Sequence, residues 1–251
     1  MSSNKKRIVI IGATSAIATH CARLWVRDAA ADMLLVGRDL VKTEHVAADL
    51  RVRNPDTTIR CMHANFFDPV EVKAVLQEAT KEGAVDMVLI AHGSLPDQQK
   101  CQEDLALCQE AIAINGSSAV LFAEAFAGEM QKANKGTLAI ISSVAGERGR
   151  KSNYVYGAAK GLVTRYAQGL QHRFAKTQVK VVLIQPGPTD TPMTAQMKQQ
   201  GGKLAQVEEV AQCIVQGIAQ GKPVVYAPAK WQWIMLIIRH LPRFVFNRMD
   251  I

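Results

Sequence analysis

The sequence predicts an α/β protein built on one doubly wound parallel sheet of about seven strands, with helices on both faces. Three observations carry that expectation. Short apolar runs alternate with longer amphipathic segments from end to end, the runs do not alternate strictly in polarity, and the first run leads into a small-residue turn that opens a helix. In chain order the strand-like runs are RIVIIG (7–12), DMLLVG (32–37), TIRCMH (58–63), DMVLIAHG (86–93), GTLAIISS (136–143), VKVVLIQPG (179–187) and PVVYAP (223–228). Helical patterns lie between them at about 15–29, 39–53, 69–82, 105–133, 154–176 and 207–220. Without a repeat, a low-complexity tract or a Pro/Gly-rich linker, residues 1–228 read as one domain, and 229–251 as its apolar and basic C-terminal tail.

Bulk properties narrow the function classes. With 251 residues, 48% apolar and 21% charged, the chain is an ordinary globular protein able to bury a substantial core. A net charge of +8 admits nucleic acid, anionic lipid or phosphorylated small molecules and selects none of them. Nucleic acid is disfavoured as a partner by 6% aromatics and the lack of a recognised binding motif. The five cysteines, Cys21, Cys61, Cys101, Cys108 and Cys213, are scattered without a CxxC pair, which argues against a metal site or a disulfide framework and for reduced thiols in the cytoplasm. The N-terminus reads as free of a secretion signal, and the longest apolar run, WIMLII (233–238), is far short of a span, so no membrane crossing is expected.

The first chemical signal is YVYGAAK (154–160). Residues at i and i+4 share a helix face, so Tyr156 and Lys160 can converge on one ligand. A phenol ionises near pH ~10, and a fixed ammonium beside it stabilises the phenolate, which makes the pair a proton-transfer device. A surface tyrosine beside a solvated lysine is the plainer alternative.

The second is the turn GATSAIA (12–18) after the first strand. A strand-to-helix turn of small residues offers backbone N–H groups and a helix N-terminus to a pyrophosphate, so Gly12, Thr14, Ser15, Ala16 and Ile17 are candidate cofactor contacts. Alanines stand at 16 and 18, where the Gly-x-x-x-Gly-x-Gly form has its last two glycines; alanine permits close packing but disfavours a positive φ. At the tip of the second strand, LLVGRD (34–39) places Arg38 where a carboxylate would serve NAD, which favours the 2′-phosphate of NADP(H). The alternative is an exposed arginine capped by Asp39.

Together, Gly12/Ala16/Ala18, ISS (141–143), Tyr156-x-x-x-Lys160 and PGPTDTPM (186–193) resemble the short-chain dehydrogenase/reductase family in its classical type, over residues 7 to about 228. The resemblance implies a Rossmann-type sheet and hydride transfer between nicotinamide and a carbonyl or secondary alcohol. It implies that Ser143, thirteen residues before Tyr156, holds the carbonyl oxygen, whereas Ser142 lies fourteen before. It further implies Tyr156 as proton donor or acceptor, Lys160 on the nicotinamide ribose and lowering the Tyr156 pKa, and Asn115 interrupting a long helix to hold a relay water. By the same likeness Pro186, Gly187, Thr189 and Thr191 belong to a cofactor loop, Asn65 stands for the adenine-side aspartate, and IAHG (90–93) replaces Asn-Asn-Ala-Gly, bringing His92 and Gly93 to the cofactor, His92 as a structural neighbour more than an acid or base.

Substrate is less legible. A 3-oxoacyl or other ketone is the default that the family implies, and a non-catalytic NADP-binding protein is the competing class. The altered glycine turn, the VGR strand tip and the tail YAPAKWQWIMLIIRHLPRFVF also resemble the reductase subunit of decaprenylphosphoryl-ribose 2-epimerisation, which implies a keto-sugar on a polyprenyl phosphate. The loop ERGRKSN (147–153), with Arg148, Arg150 and Lys151, borders the expected pocket and suits a phosphate or is simply solvated. In the tail (231–251), apolar residues and arginines opposed by Asp250 suit a subunit contact in a homo-oligomer, a peripheral membrane contact through 231–248 at the inner face, or an intramolecular strip.

Overall fold

The computed structural model describes residues 5–249, so Asp250 lies outside the described residues. Strands β1 (Lys6–Ile11), β2 (Ala31–Gly37), β3 (Thr58–His63), β4 (Met87–Ile90), β5 (Thr137–Ile141), β6 (Lys180–Pro186) and β7 (Val224–Ala227) form one seven-stranded sheet in the order β3-β2-β1-β4-β5-β6-β7. Every neighbouring pair is parallel, with Ile11 level with Val36 on one side and Ile90 on the other. Parallel neighbours need crossover connections, and helices supply them. They are α1 (Ala16–Asp28), α2 (Leu40–Arg53), α3 (Pro69–Thr80), α4 (Gln98–Glu103), α5 (Leu105–Ile112), α6 (Ser118–Ala133), α7 (Tyr154–Arg173), α8 (Ala195–Gln199) and α9 (Val207–Ala219), followed by α10 (Lys230–His240) and α11 (Arg243–Phe246).

Alternating side chains divide the core into two layers. Val9 and Ile11 of β1 face the layer closed by Val72 of α3, Phe122 and Phe126 of α6 and Val163 of α7. Ile8 and Ile10 face the other, closed by Cys21 of α1, Leu50 of α2 and Ile214 of α9. This two-sided burial is why the strands read as nearly continuous apolar runs. Helix starts follow local chemistry: the Asp39 carboxylate accepts from Lys42 N to cap α2, and Asp68 accepts from Val70 N ahead of Pro69 in α3.

Two expected elements end differently. The run at 86–93 leaves the sheet after Ile90, where Ala91 N donates to Ile11 O at 2.8 Å, and the chain then turns away across the strand ends. The expected helix at 105–133 is two α-helices joined by a turn of π-helix, Ala113–Ser117. That stretch is long and apolar enough to cross a membrane by length and composition, but here it carries Phe122, Phe126 and Met130 into the core. Two short helices, α4 and α8, have no counterpart in the sequence expectation.

The tail packs back onto its own chain on one side. Met235 of α10 is fully buried. The Trp231 indole lies against Gly187 so closely that a Cβ there would come within 1.9 Å of Nε1. Arg148 donates to the carbonyls of Ile238 (2.5 Å) and Leu241 (2.8 Å), which closes the C-terminus of α10, and its guanidinium stacks on Phe246 at 3.8 Å. Arg239 pairs with the nearly buried Glu147 at 3.1 Å. The opposite side, with Trp233, Leu236, Ile237 and Phe244, is exposed. Intramolecular packing therefore accounts for Trp231 and Met235, a larger share of the tail than a subunit or membrane contact alone implies.

The Gly187–Trp231 contact makes a quantitative test. Gly187→Ala should lower stability by about 1–3 kcal/mol through overpacking. In a Trp231→Ala background the same change should cost far less, so a denaturant-melt double-mutant cycle should be strongly non-additive.

Candidate active site

A groove runs across the C-terminal ends of the strands, at the point where β1 and β4 diverge to opposite halves of the sheet. One end is a cleft of about 340 Å³ lined by Gly12, Thr14, Ala16, Arg38, Lys42 and Phe66. The other is a cleft of about 270 Å³ lined by Asn115, Ser143, Arg150, Asn153, Tyr156 and Lys160. Ser15, Ile17, His92, Gly93, Thr191 and Met193 line both, so the clefts are continuous.

At the first end, Gly12 has φ +83°, and a Cβ there would lie 2.6 Å from His92 N. Only glycine fits. Ser15 takes the N-cap position of α1 without a side-chain cap, and Ala16 begins the helix proper. Ala16 and Ala18 thus sit in helical geometry, where alanine carries no φ penalty, and Ala18 is fully buried. This is why the turn tolerates alanines in place of two glycines. Arg38 is exposed at the strand tip, and Asp39 does not cap it: the Asp39 carboxylate pairs with Lys42 Nζ at 3.2 Å, and the Lys42 contacts hold its pKa below the usual carboxylate range. Lys42, which sequence reasoning missed, adds a second cation to this end; its signal is its place in the first turn after the Asp39 cap. Asn65 does not line the groove. Its side-chain oxygen accepts from Phe67 N at 3.1 Å, and Phe66 lines the cleft instead.

His92 is buried beside the Phe66 and Phe122 rings, with centroids at 4.7 and 5.8 Å. Ser118 Oγ donates its single proton to Phe66 O at 2.8 Å, so the 2.9 Å contact with His92 must have Nε2–H as donor, leaving Nδ1 buried without a partner among the described residues. Burial first, then the charges of Lys160 and Arg38, push the His92 pKa down to about 3. It stays neutral near pH 7, as a structural group and not as an acid.

At the chemical end, β5 runs out at Ile141 into two serines with different tasks. Ser142 is buried, its hydroxyl donating to Lys160 O at 2.9 Å and meeting Thr164 Oγ1 at 2.8 Å. Ser143 caps the short turn Val144–Gly146, with Oγ accepting from Ala145 N at 3.2 Å, and lines the cleft. That turn packs tightly on α7: a Cβ on Gly146 would approach the Lys160 carbonyl carbon to 2.7 Å. Ser143 is in this way fixed relative to Tyr156 and Lys160.

The Tyr156 ring lies 5.9 Å from Lys160 Nζ, which donates to Ile141 O at 3.2 Å. The phenol pKa is not lowered overall; burial raises it, with the neighbouring Ser143 hydroxyl pulling the other way. Desolvation acts on the lysine too and brings it down to about 8. Asn115 is fully buried in the π turn, its Nδ2 donating to Ala111 O and its Oδ1 accepting from Ser94 N, both at 2.9 Å. Gly93 separates it from Lys160, since a Cβ there would be 2.8 Å from Asn115 Oδ1 and 3.5 Å from Lys160 Nζ.

After β6, Pro186, Gly187, Thr189 and Thr191 all line the second cleft. Thr189 Oγ1 donates to Gly187 O at 2.9 Å, while Thr194 Oγ1 reaches Thr189 O at 2.5 Å and accepts from Thr191 N at 3.1 Å. Thr194, the loop's organiser, was also missed; the pattern Thr-Pro-Met-Thr is a cap signal.

Fold and groove define a dinucleotide-binding α/β protein of the oxidoreductase type. The sequence pattern described as short chain dehydrogenase matches residues 6–202, and the chain belongs to that family of oxidoreductases. It is 30% identical to an uncharacterised oxidoreductase of Mycobacterium tuberculosis over 96% of each chain. Another uncharacterised oxidoreductase, from Streptomyces coelicolor, is 28% identical over 99% of this chain and 97% of its own. Among solved structures, a short-chain dehydrogenase from Sphingobium yanoikuyae in complex with NADPH superposes with TM-score 0.82 at 21% identity, covering 97% of this chain and 96% of that one.

The Lys160 environment sets a pH dependence. Its ammonium is charged below about pH 8 and neutral above it. Carbonyl reduction should therefore be flat on the acid side of that value and fall as pH rises through it, with an apparent pKa near 8 in a kcat/KM profile.

Proposed function

We propose that this protein is an NADP(H)-dependent carbonyl reductase or secondary-alcohol dehydrogenase. The observation that carries the reading is the convergence of Ser143, Tyr156 and Lys160 in a cleft continuous with the one that holds Gly12 and Arg38. The residues fit the cofactor: the Gly12 turn leaves backbone open at the start of α1, Arg38 is exposed to receive a 2′-phosphate, and the buried Lys160 ammonium suits ribose hydroxyls. Nicotinamide, when bound, supplies or accepts the hydride. Ser143 holds the carbonyl oxygen as negative charge develops on it. The Tyr156 phenol gives its proton to that oxygen in reduction and takes it back in oxidation. Lys160 steadies the phenolate so formed, and Asn115 holds the backbone at Ser94, next to Gly93, which lies against Lys160. A binding-only protein would need Gly12, Arg38 and Lys160 but not Ser143 and Tyr156.

A second, narrower reading is that the carbonyl is a keto-sugar carried on a polyprenyl phosphate, with an ordinary ketone or 3-oxoacyl compound as the general alternative. The feature that favours it is the exposure of Trp233 and Ile237 on α10 and of Phe244, next in sequence to the exposed Arg243, on α11. An interfacial helix uses aromatic, aliphatic and basic groups in this way.

Tyr156→Phe should lower carbonyl-dependent NADPH oxidation by about 100-fold or more while NADPH still binds. Unchanged turnover would sink the proposed chemistry. Arg38→Ala should raise the KM for NADPH about 10- to 100-fold and leave that for NADH nearly unchanged, because the charged partner is lost only for the 2′-phosphate. Equal effects on both would remove the NADP preference. For the lipid-linked reading, flotation with anionic liposomes should carry the wild type and leave Trp233→Glu/Ile237→Glu behind. These positions spare the contacts of Trp231 and Met235 that truncation of the tail would destroy. If the wild type does not float, the membrane reading fails.

A further inference from the structure

The basic loop before α7 divides its arginines between two tasks. Arg148 is committed to the end of α10 and to Phe246. Arg150 instead lines the cleft that holds Ser143 and Tyr156. Its guanidinium is part-buried, and its nearest polar partner is the Met235 thioether, 3.6 Å from Nη2. Its Nε is buried and has no partner among the described residues. Glu147 contributes only its field, because that carboxylate is paired with Arg239 at 3.1 Å. Within the same turn, Asn153 N donates to Arg150 O at 3.2 Å, and the Asn153 side-chain oxygen also lies buried and unpartnered on the cleft wall.

A guanidinium carries five donors in a rigid fork and stays charged at any working pH, so it cannot relieve its burial by losing a proton. Leaving such donors unmatched costs stability, and thioether sulfur is a weak acceptor. An anion is the ligand that repays the arrangement. Asn153 adds an acceptor suited to a hydroxyl. We propose that Arg150 anchors an anionic group, phosphate or carboxylate, on a hydroxylated carbonyl substrate, and that it thereby sets specificity at the site. This rests on the reading of the cleft as a carbonyl site. A guanidinium does not give up its proton at working pH, so Arg150 acts in substrate selection and not in proton transfer.

Two matched pairs separate the sources of charge: dihydroxyacetone with its phosphate, and hydroxyacetone with hydroxypyruvate. Their affinities for the full chain, with and without saturating NADP+, which cannot reduce a carbonyl, are measured by titration calorimetry. The anionic member of at least one pair should bind about 10- to 100-fold more tightly than its neutral counterpart, as charge-assisted bonds to a fork imply. Arg150→Gln should bring that ratio close to one, and Arg150→Lys, which keeps the charge but loses the fork, should retain part of it. NADPH affinity and melting temperature report that each variant is folded. A ratio near one for both pairs in the wild type, or an unchanged ratio in Arg150→Gln, overturns the proposal. Failure of every carbonyl to oxidise NADPH is a separate outcome that strikes the reductase reading and leaves the anion measurement standing.

Discussion

The site depends on one costly placement, the ammonium of Lys160 buried at the end of β5. It has no carboxylate within ion-pair reach among the described residues, and its protein acceptor is the Ile141 carbonyl at 3.2 Å. Desolvation brings its pKa down to about 8, so near neutral pH it remains charged with little margin. Much of the neighbourhood follows from that charge. Gly93 has no side chain because Asn115 and Lys160 close in on either side of it. His92, further depressed by Lys160 and Arg38 after burial has done most of the work, is held neutral and excluded as a rival base. Ser142 and Gly146 exist largely to dock the Lys160 backbone, one by a hydrogen bond at 2.9 Å and the other by close approach.

The walls of the second cleft come from parts of the chain far apart in sequence, and α10 ties them together. Trp231 bears on the loop after β6 at Gly187, Met235 touches Arg150, and Arg148 and Glu147 reach from the loop before α7 to the C-terminal turn of α10. Sheet and α7 can fix Ser143, Tyr156 and Lys160 without this helix. The substrate wall cannot be fixed so, because residues 147–153 are a loop whose long-range side-chain contacts lie mainly with the tail. The apolar composition of the tail is thus explained in part by packing within the chain, while its outer side, with Trp233, Ile237 and Phe244, stays exposed.

Much of this was legible in the sequence, for reasons that differ from element to element. Strands buried on both faces produce apolar runs, so all seven were visible, and fixed spacings along one helix made Tyr156 and Lys160 readable as a pair. The glycine turn read as weak because motif matching treats its three positions alike; only Gly12 needs a positive φ, whereas 16 and 18 are helical. What stayed hidden depends on tertiary direction. The sequence around Asn65 does not say that its oxygen folds back onto Phe67 N, nor does Asp39 reveal that it serves Lys42 and leaves Arg38 uncapped. The distinction between Arg148 and Arg150 is of the same kind. Two residues apart in an irregular loop, they were equivalent as charges and are opposite in use.

The cations along the groove also give it a direction. Arg38 and Lys42 stand at the first end, and Lys160 beside Tyr156 and Arg150 at the second. A molecule with phosphate at one extremity and a hydroxylated ring near the other can satisfy the first two stations at once, because the separation of the charges matches ligand anions to one end and ligand hydroxyls to the buried amine. Reversing such a molecule would set its phosphate beside Tyr156, the proton donor of the proposed chemistry, and would leave Arg38 without an anion. On the proposals above, the wall at Arg150 is left for the substrate, with its reactive carbon toward Tyr156 and its anion on Arg150. On the chemistry proposed above, the orientation of both ligands follows from where the chain sets its cations along the groove.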